Sequence, residues 1–348
     1  MLKLLSSNKG KKMTDSGKRG FNGRNIFREQ AEEEKRKLQE IEQTILLDYE
    51  KGRDIDKTAV YNQPDQQAVV EIIGKMFRII FPGYYRDRVF RGYNLESGIM
   101  VLIEDVMYNL QKQIAVVLNY QSEDENPGVN VCQQSIDRKA SNITLEFLSR
   151  IPKMREYLDT DLEATLQGDP AALNKDEIVL SYPGIFTITI YRMAHELFLL
   201  NVPLIPRMMT EYAHNKTGID INPGASIGKY FFIDHGTGIV VGSTTIIGEH
   251  VKVYQGVTIG ALSTSGGQKL RGVKRHPTIE DYVTIYSGAS ILGGQTVIGE
   301  HSVIGSNAFI TSSIPAGTRV SIKNQELSFK SKKNAFGRGK RTEKHRRN

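Results

Sequence analysis

Cysteine is almost missing from this chain: its 348 residues contain one, Cys132. A lone thiol excludes an internal disulfide and any multi-cysteine zinc site. It suits a reducing compartment, so the expected location is cytoplasmic and the thiol is expected to be buried. Long apolar runs are missing too. No stretch approaches the roughly 20 residues that span a bilayer, and Met1-Leu2-Lys3-Leu4-Leu5 is too short for the core of a secretion signal. A soluble protein without membrane contact is expected, and its 39% apolar content is enough to bury a sizeable core.

The folded body also lacks positive charge. The net charge is +7, yet residues 1–27 carry seven Lys/Arg against one Asp, and residues 323–348 carry ten against two Glu. The body between them is left at −7. Basic charge confined to Gly/Ser/Asn-rich ends predicts solvated tails rather than a basic groove, with nonspecific contact to polyanions such as nucleic acid as the alternative. The expected organisation is a disordered tail over 1–27, a helical domain over 28–215, a repeat domain over 216–318 and a second disordered tail over 319–348.

Asn25 to Tyr49 is charged and helix-favouring, with Glu29, Glu32, Glu33 and Glu34 ahead of Lys35, Arg36 and Lys37. Helical spacing continues through Val69, Ile72, Ile73, Met76 and Phe77, breaks at Pro82-Gly83, and resumes from Ile99 to Leu118. Asn142 to Leu166 and Phe186 to Leu200 read the same way. Asp169, directly before Pro170, reads locally as a helix N-cap.

After Thr217 the period becomes six. Ile221, Ile227, Ile233, Ile239, Thr245, Val251 and Val257 form one ladder; Ile279, Ile285, Ile291, Val297, Val303 and Phe309 form a second. Neither a helix nor an ordinary strand repeats an aliphatic rung every six residues. A left-handed parallel β-helix does, with three six-residue sides to each triangular coil and small residues at the corners. The fold class is therefore α + β, an N-terminal all-helical domain followed by a C-terminal left-handed β-helix. The two ladders are out of register, so a loop over residues 260–277 must leave the coil, where binding residues tend to lie.

Asp234-His235 interrupts the first ladder directly after Ile233. An imidazole can take a proton from a hydroxyl at neutral pH, which makes His235 the leading catalytic candidate. Asp220 lies 15 residues earlier, close to one coil, so the two can share a corner, and a carboxylate there can orient the ring. A turn-capping role is the alternative for Asp220. His250 and His301, each after Gly-Glu, are expected at exposed corners, and His195 packed in a helix. A zinc site would need a strained choice among His235, His250, His276 and His301, so no metal is expected.

The stretches Asp220-Ile221-Asn222-Pro223-Gly224-Ala225-Ser226-Ile227-Gly228 and Ile233-Asp234-His235-Gly236-Thr237-Gly238-Ile239-Val240-Val241-Gly242 resemble serine O-acetyltransferase, a hexapeptide-repeat acyltransferase family, here its longer-looped subgroup. Tyr254 to Gly260, Arg275-His276-Pro277, Gly168-Asp169-Pro170-Ala171-Ala172 and Tyr191-Arg192-Met193-Ala194-His195 add to the resemblance, which covers Asp161 to Pro315. It implies acetyl transfer from acetyl-CoA, a co-substrate rather than a bound cofactor, to L-serine, the first step of cysteine biosynthesis. His235 would be the base and Asp220 its orienting partner. Asp169 and Asp234 would face the serine ammonium, and Arg275 and His276 would hold its carboxylate from an adjacent subunit of a homotrimer or dimer of trimers. Gly260 and Ala261 would line the pantetheine groove. Lys269, Arg271 and Lys274 stand between contact with CoA phosphates and plain solvation. Cysteine is implied as an inhibitor.

Three departures stand out. Ser243 occupies a place where many relatives have Glu, the loop 261–274 is long, and the sequence ends in Asn348 rather than the isoleucine by which relatives dock into O-acetylserine sulfhydrylase, so that complex is not expected. A hexapeptide acetyltransferase acting on a sugar or another small acceptor, and a non-enzymatic scaffold using its basic tails, are the alternatives.

Overall fold

The computed structural model describes residues 22–53, 55–56, 63–85, 95–125 and 132–323. Most of both expected basic tails lies outside them. Helix α1 (Asn22–Tyr49) starts inside the segment read as a tail and belongs to a compact unit of its own, Met1–Val60. From Phe27 onward its side chains are exposed, apart from a half-buried Asp48, with i, i+4 support from Lys37–Glu33 at 2.9 Å.

The second unit, Tyr61–Asn348, holds the remaining helices and the coil. Helix α2 (Gln66–Ile80) is capped by Asp65, whose carboxylate accepts the Gln67 and Ala68 N–H groups. Helices α3 (Leu95–Glu125), α4 (Gln133–Ser149), α5 (Ile151–Gly168), α6 (Lys175–Ser181), α7 (Pro183–Leu199) and α8 (Ile205–Thr217) follow. Proline at the start of α5, α7 and α8 sets those helix starts, because the missing N–H would be unpaired there in any case. Cys132 stands exposed at the N-terminus of α4, against the expectation of a buried thiol. Among the described residues, no helix is long and apolar enough to cross a membrane.

From Asp220 the chain winds as a left-handed parallel β-helix of fourteen short strands on three faces. Strands β1 (Asp220–Ile221), β2 (Ser226–Ile227), β3 (Phe232–Asp234) and β4 (Val240–Val241) start it. On the first face Ile221, Val241, Ile259, Ile291 and Ile310 stack in register. The second face stacks Ile227, Ile247, Ile279 and Ile298. The third stacks Ile233, Val253, Ile285, Ile304 and Val320.

This register corrects the single ladders read from the sequence. Ile239, Thr245, Val251 and Val257 are buried, but they occupy a second inward position two residues before each stacked rung. The step from Ile221 to Val241 is 20 residues, where Val241 to Ile259 takes 18. The first coil therefore holds two extra residues after Ile233. A further extra residue after Ile291 moves the rungs to Ile298, Ile304 and Ile310, and leaves Phe309 72% exposed. Ile259 to Ile291 spans 32 residues, because the expected loop leaves here and carries a 3₁₀ turn at Gly267–Leu270.

One buried ion pair joins helices to coil. Arg192 on α7 donates Nε to Asp161 Oδ2 at 2.7 Å and Nη2 to Oδ1 at 2.8 Å. Asp161, on α5, is fully buried and Arg192 is 6% exposed. The pair also grips the coil, since Arg192 donates to the Ile227 and Gly228 carbonyls and Asp161 accepts the Phe231 N–H. Removing one partner strands the other without water. Asp161→Asn is expected to destabilise by about 3 kcal/mol, lowering the melting temperature by roughly 5 to 10 °C; a thermal melt unchanged from wild type would show the pair to be dispensable.

Candidate functional site

The corner from the third face to the first repeats a left-handed backbone at Gly238, Gly256, Gly288 and Asn307, with φ between 59° and 83°. His235 (φ 55°) and Gly236 (φ 85°) lie outside that column and belong to the first coil's extra residues. A non-glycine residue held there is strained, and such strain persists where surrounding structure imposes it. His235 is pushed outward and is 74% exposed at its side chain, with Nε2 3.7 Å from Asp234 Oδ1.

Two helix ends converge on this corner. Gly168 closes α5 so near the coil that a Cβ would lie 2.6 Å from the Phe232 ring, and at Gly184, near the start of α7, one would lie 2.9 Å from the Ile233 carbonyl oxygen. Only glycine permits either approach. The next residue after α5 is Asp169, which closes that helix through its N–H to Thr165 O at 3.0 Å rather than capping a following one. The N-cap read from Asp-Pro is thereby corrected: Asn174 caps α6. Asp169 Oδ1 accepts the Ala171 N–H at 2.8 Å and Oδ2 accepts the Tyr182 hydroxyl at 2.6 Å.

These donors, the Tyr182 hydroxyl foremost and the Ala171 N–H next, hold the Asp169 carboxyl below its ordinary range, and the nearby His235 adds to the effect. The bond pushes the Tyr182 phenol up to about 12. Tyr254 is raised by burial and then by the charges of Asp234 and Asp169. Asp169, Asp234 and His235 thus form one cluster, with Tyr182 and Tyr254 in it. Sequence reasoning missed both tyrosines, although Tyr182-Pro183 is itself a helix-start signal.

Asp220 sits on the coil's first strand, beneath the same corner, where the Gly218 carbonyl accepts the Gly238 N–H at 2.8 Å. Its carboxylate does not meet His235. It accepts Arg207 Nη1 at 2.9 Å, and Arg207 also pairs with Glu211. Glu211, His214 and Asp220 are one group whose donor atoms converge closely enough for a cation. Arg207 already bonds both carboxylates, so a guanidinium of the protein itself serves them.

The other predicted residues stand at the corner from the first face to the second. Gly260 ends the strand Thr258–Gly260 and Ala261 begins the loop. Arg275 donates to Ser243 Oγ at 2.9 Å and to Leu270 O at 3.0 Å. His276 is 6% exposed, and its Nδ1 accepts the Thr244 N–H at 3.0 Å. That acceptor role leaves the proton of the neutral ring on Nε2. Lys274 donates to the carbonyls of Thr244, His276 and Pro277, which ties the loop to the coil.

The two corners stand at opposite ends of one face, roughly 20 Å apart at about 3.3 Å per residue over Gly236 to Gly242. The four imidazoles do not converge. His250 and His301 belong to a third corner, in a column Tyr230–His250–Tyr282–His301 with ring centroids 4.1 to 4.7 Å apart. His195 is packed, with Nδ1 2.8 Å from the Pro223 carbonyl oxygen.

No family model matches the chain. It is similar to a plasmid-encoded serine acetyltransferase of Synechococcus elongatus, 39% identical over 232 residues that cover 64% of this chain and 70% of that protein. It is also 49% identical over 122 residues to a serine acetyltransferase of Helicobacter pylori, covering 35% of this chain and 68% of that one. Among solved structures, Entamoeba histolytica serine acetyltransferase 1 in complex with L-cysteine superposes with a TM-score of 0.62 at 34% identity, over 75% of this chain and 87% of that one. Isoform 3 from the same organism, in complex with cysteine, gives 0.62 at 30%, over 83% and 94%.

Burial, then the charges of Arg275 and Lys274, pushes the His276 imidazole down to about 4. The unfolded chain, with an ordinary histidine near 6.5, takes up that proton first as pH falls. The stability this group contributes is therefore complete above about pH 6.5 and is lost as pH falls towards 4. Melting temperatures measured from pH 7.5 to 4.5 should drop less steeply for His276→Gln than for wild type; parallel curves would contradict the assignment.

Proposed function

The chain belongs to the serine acetyltransferase family, and from that premise we propose that it moves acetyl from acetyl-CoA to the hydroxyl of L-serine, giving O-acetylserine and CoA, the first step in making cysteine from serine. The observation that carries this reading is the convergence of Asp169, Asp234 and His235 from a helix end and a coil corner. Two carboxylates beside an exposed imidazole suit an acceptor with an ammonium next to a hydroxyl.

In this reading the carboxylates of Asp169 and Asp234 hold the ammonium and set the serine hydroxyl against His235. The imidazole takes the hydroxyl proton as the oxygen attacks the thioester carbonyl. The tetrahedral oxyanion collapses, the C–S bond breaks, and the imidazolium returns its proton to the departing CoA sulfur. Holding both substrates together supplies much of the rate gain. Asp220 lies on the adjacent strand and steadies the imidazolium when the exposed ring turns towards it, while Arg207 keeps its carboxylate in place.

The substrate carboxylate needs a cation, and Arg275 stands at the far end of the same face. One copy therefore supplies the ammonium and base half of a site, and the next copy supplies Arg275 and the Nε2–H of His276. Joining unlike ends of a face around a closed ring produces a cyclic oligomer, and the homotrimer that the resemblance implies is such a ring. Gly260 and Ala261, at that same corner, line the groove for the pantetheine arm. Cysteine differs from serine only in its sulfur and fits the same cradle; both Entamoeba relatives hold it.

CoA release should be seen with serine and not with threonine or an aminosugar, and His235→Ala should lower kcat by about 10²- to 10⁴-fold. Cysteine should raise the apparent KM for serine. A variant as fast as wild type, or turnover indifferent to serine, would sink this reading.

A further inference from the structure

We propose that Tyr182 is a positioning residue for the acceptor site, holding Asp169 charged and aimed so that it can receive an ammonium. The inference rests on the acceptor reading above and assigns a role to a residue outside the predicted catalytic and binding set.

Asp169 sits beyond the end of a helix, at a turn, with the imidazole of His235 close enough for its charge to be felt there, and the carboxylate of Asp234 close enough to be felt at the Tyr182 phenol that Asp169 holds. Burial favours the protonated carboxyl, and a protonated Asp169 would no longer attract an ammonium. Two donors oppose this. The Ala171 N–H fixes Oδ1 from within the turn, and the Tyr182 hydroxyl fixes Oδ2 from 13 residues further along the chain. Each oxygen keeps a lone pair for a ligand.

Tyr182 can do this because its own place is imposed from both sides. It is the N-cap residue of α7 but makes no side-chain cap bond, so its hydroxyl is spent on Asp169 alone. The Gly184 contact with the Ile233 carbonyl seats the start of α7 against β3, the strand that ends in Asp234. One phenol thus links the helical half of the site to the half carried by the coil.

A tyrosine that merely ties down the turn before α6 would affect stability, not acceptor binding. Tyr182→Phe removes only the hydroxyl. Initial-rate measurements on the full-length protein should show KM for serine rising about tenfold, as expected for a lost bond to a charged group, with KM for acetyl-CoA and kcat within about twofold. The acid-side fall of kcat/KM for serine should begin at higher pH, because Asp169 takes its proton more readily. If Tyr182 acts through Asp169, Asp169→Asn combined with Tyr182→Phe should be no worse than Asp169→Asn alone.

Serine KM within twofold of wild type, additive effects in the double variant, or both KM values rising together with a lowered melting temperature would each overturn the proposal while leaving serine as acceptor. A wild type that releases no CoA with serine would remove the acceptor reading, and this proposal with it.

Discussion

The buried pair of Asp161 and Arg192 is the constraint on which the arrangement of this protein depends. Two charges taken wholly out of water are tolerated only when their remaining donors and acceptors are also met, and here the coil backbone meets them. The pair can close only if α5, α7 and the first coil lie in one relative position. Asp169 lies eight residues beyond Asp161, and Tyr182 ten before Arg192, so the two helices act as levers of roughly 12 to 15 Å from the pair to the site. A small rotation at the clamp would separate Asp169 and Tyr182 from Asp234.

The coil presents its candidate site residues where it breaks its own repeat. A regular solenoid places rungs inward and small residues at corners, leaving little room for a base. The first coil's two extra residues expel His235 from that pattern, and the loop after Gly260 brings Arg275 and His276 back to a second corner pinned by Lys274 and Thr244. Both departures lie on the edges of one face, so the surface between them is the one that neighbouring copies share in the proposed assembly.

The coil was legible in the sequence because a six-residue period needs only the residue types at successive rungs. Its true register was not. Positions two residues apart both point inward, so Ile239 and Val257 look like rungs although Val241 and Ile259 carry the stacking. His235 was legible as a polar interruption of an apolar ladder. The surroundings of Asp169 were not, since Asp-Pro has a sufficient local explanation and the Tyr182 bond depends on how two helix ends meet β3. The Arg207 partnership of Asp220 spans a helix and a strand and leaves no short-range pattern. Cys132 was misjudged because cysteine is usually buried, whereas a helix N-terminus exposes this one.

The most direct test is a crystal structure of the protein soaked with L-serine. The account predicts the ammonium within hydrogen-bonding distance of both Asp169 and Asp234, the hydroxyl at the His235 ring, and the carboxylate directed to Arg275 of a neighbouring copy. Serine bound with its ammonium away from Asp169, or held entirely within one copy, would contradict it.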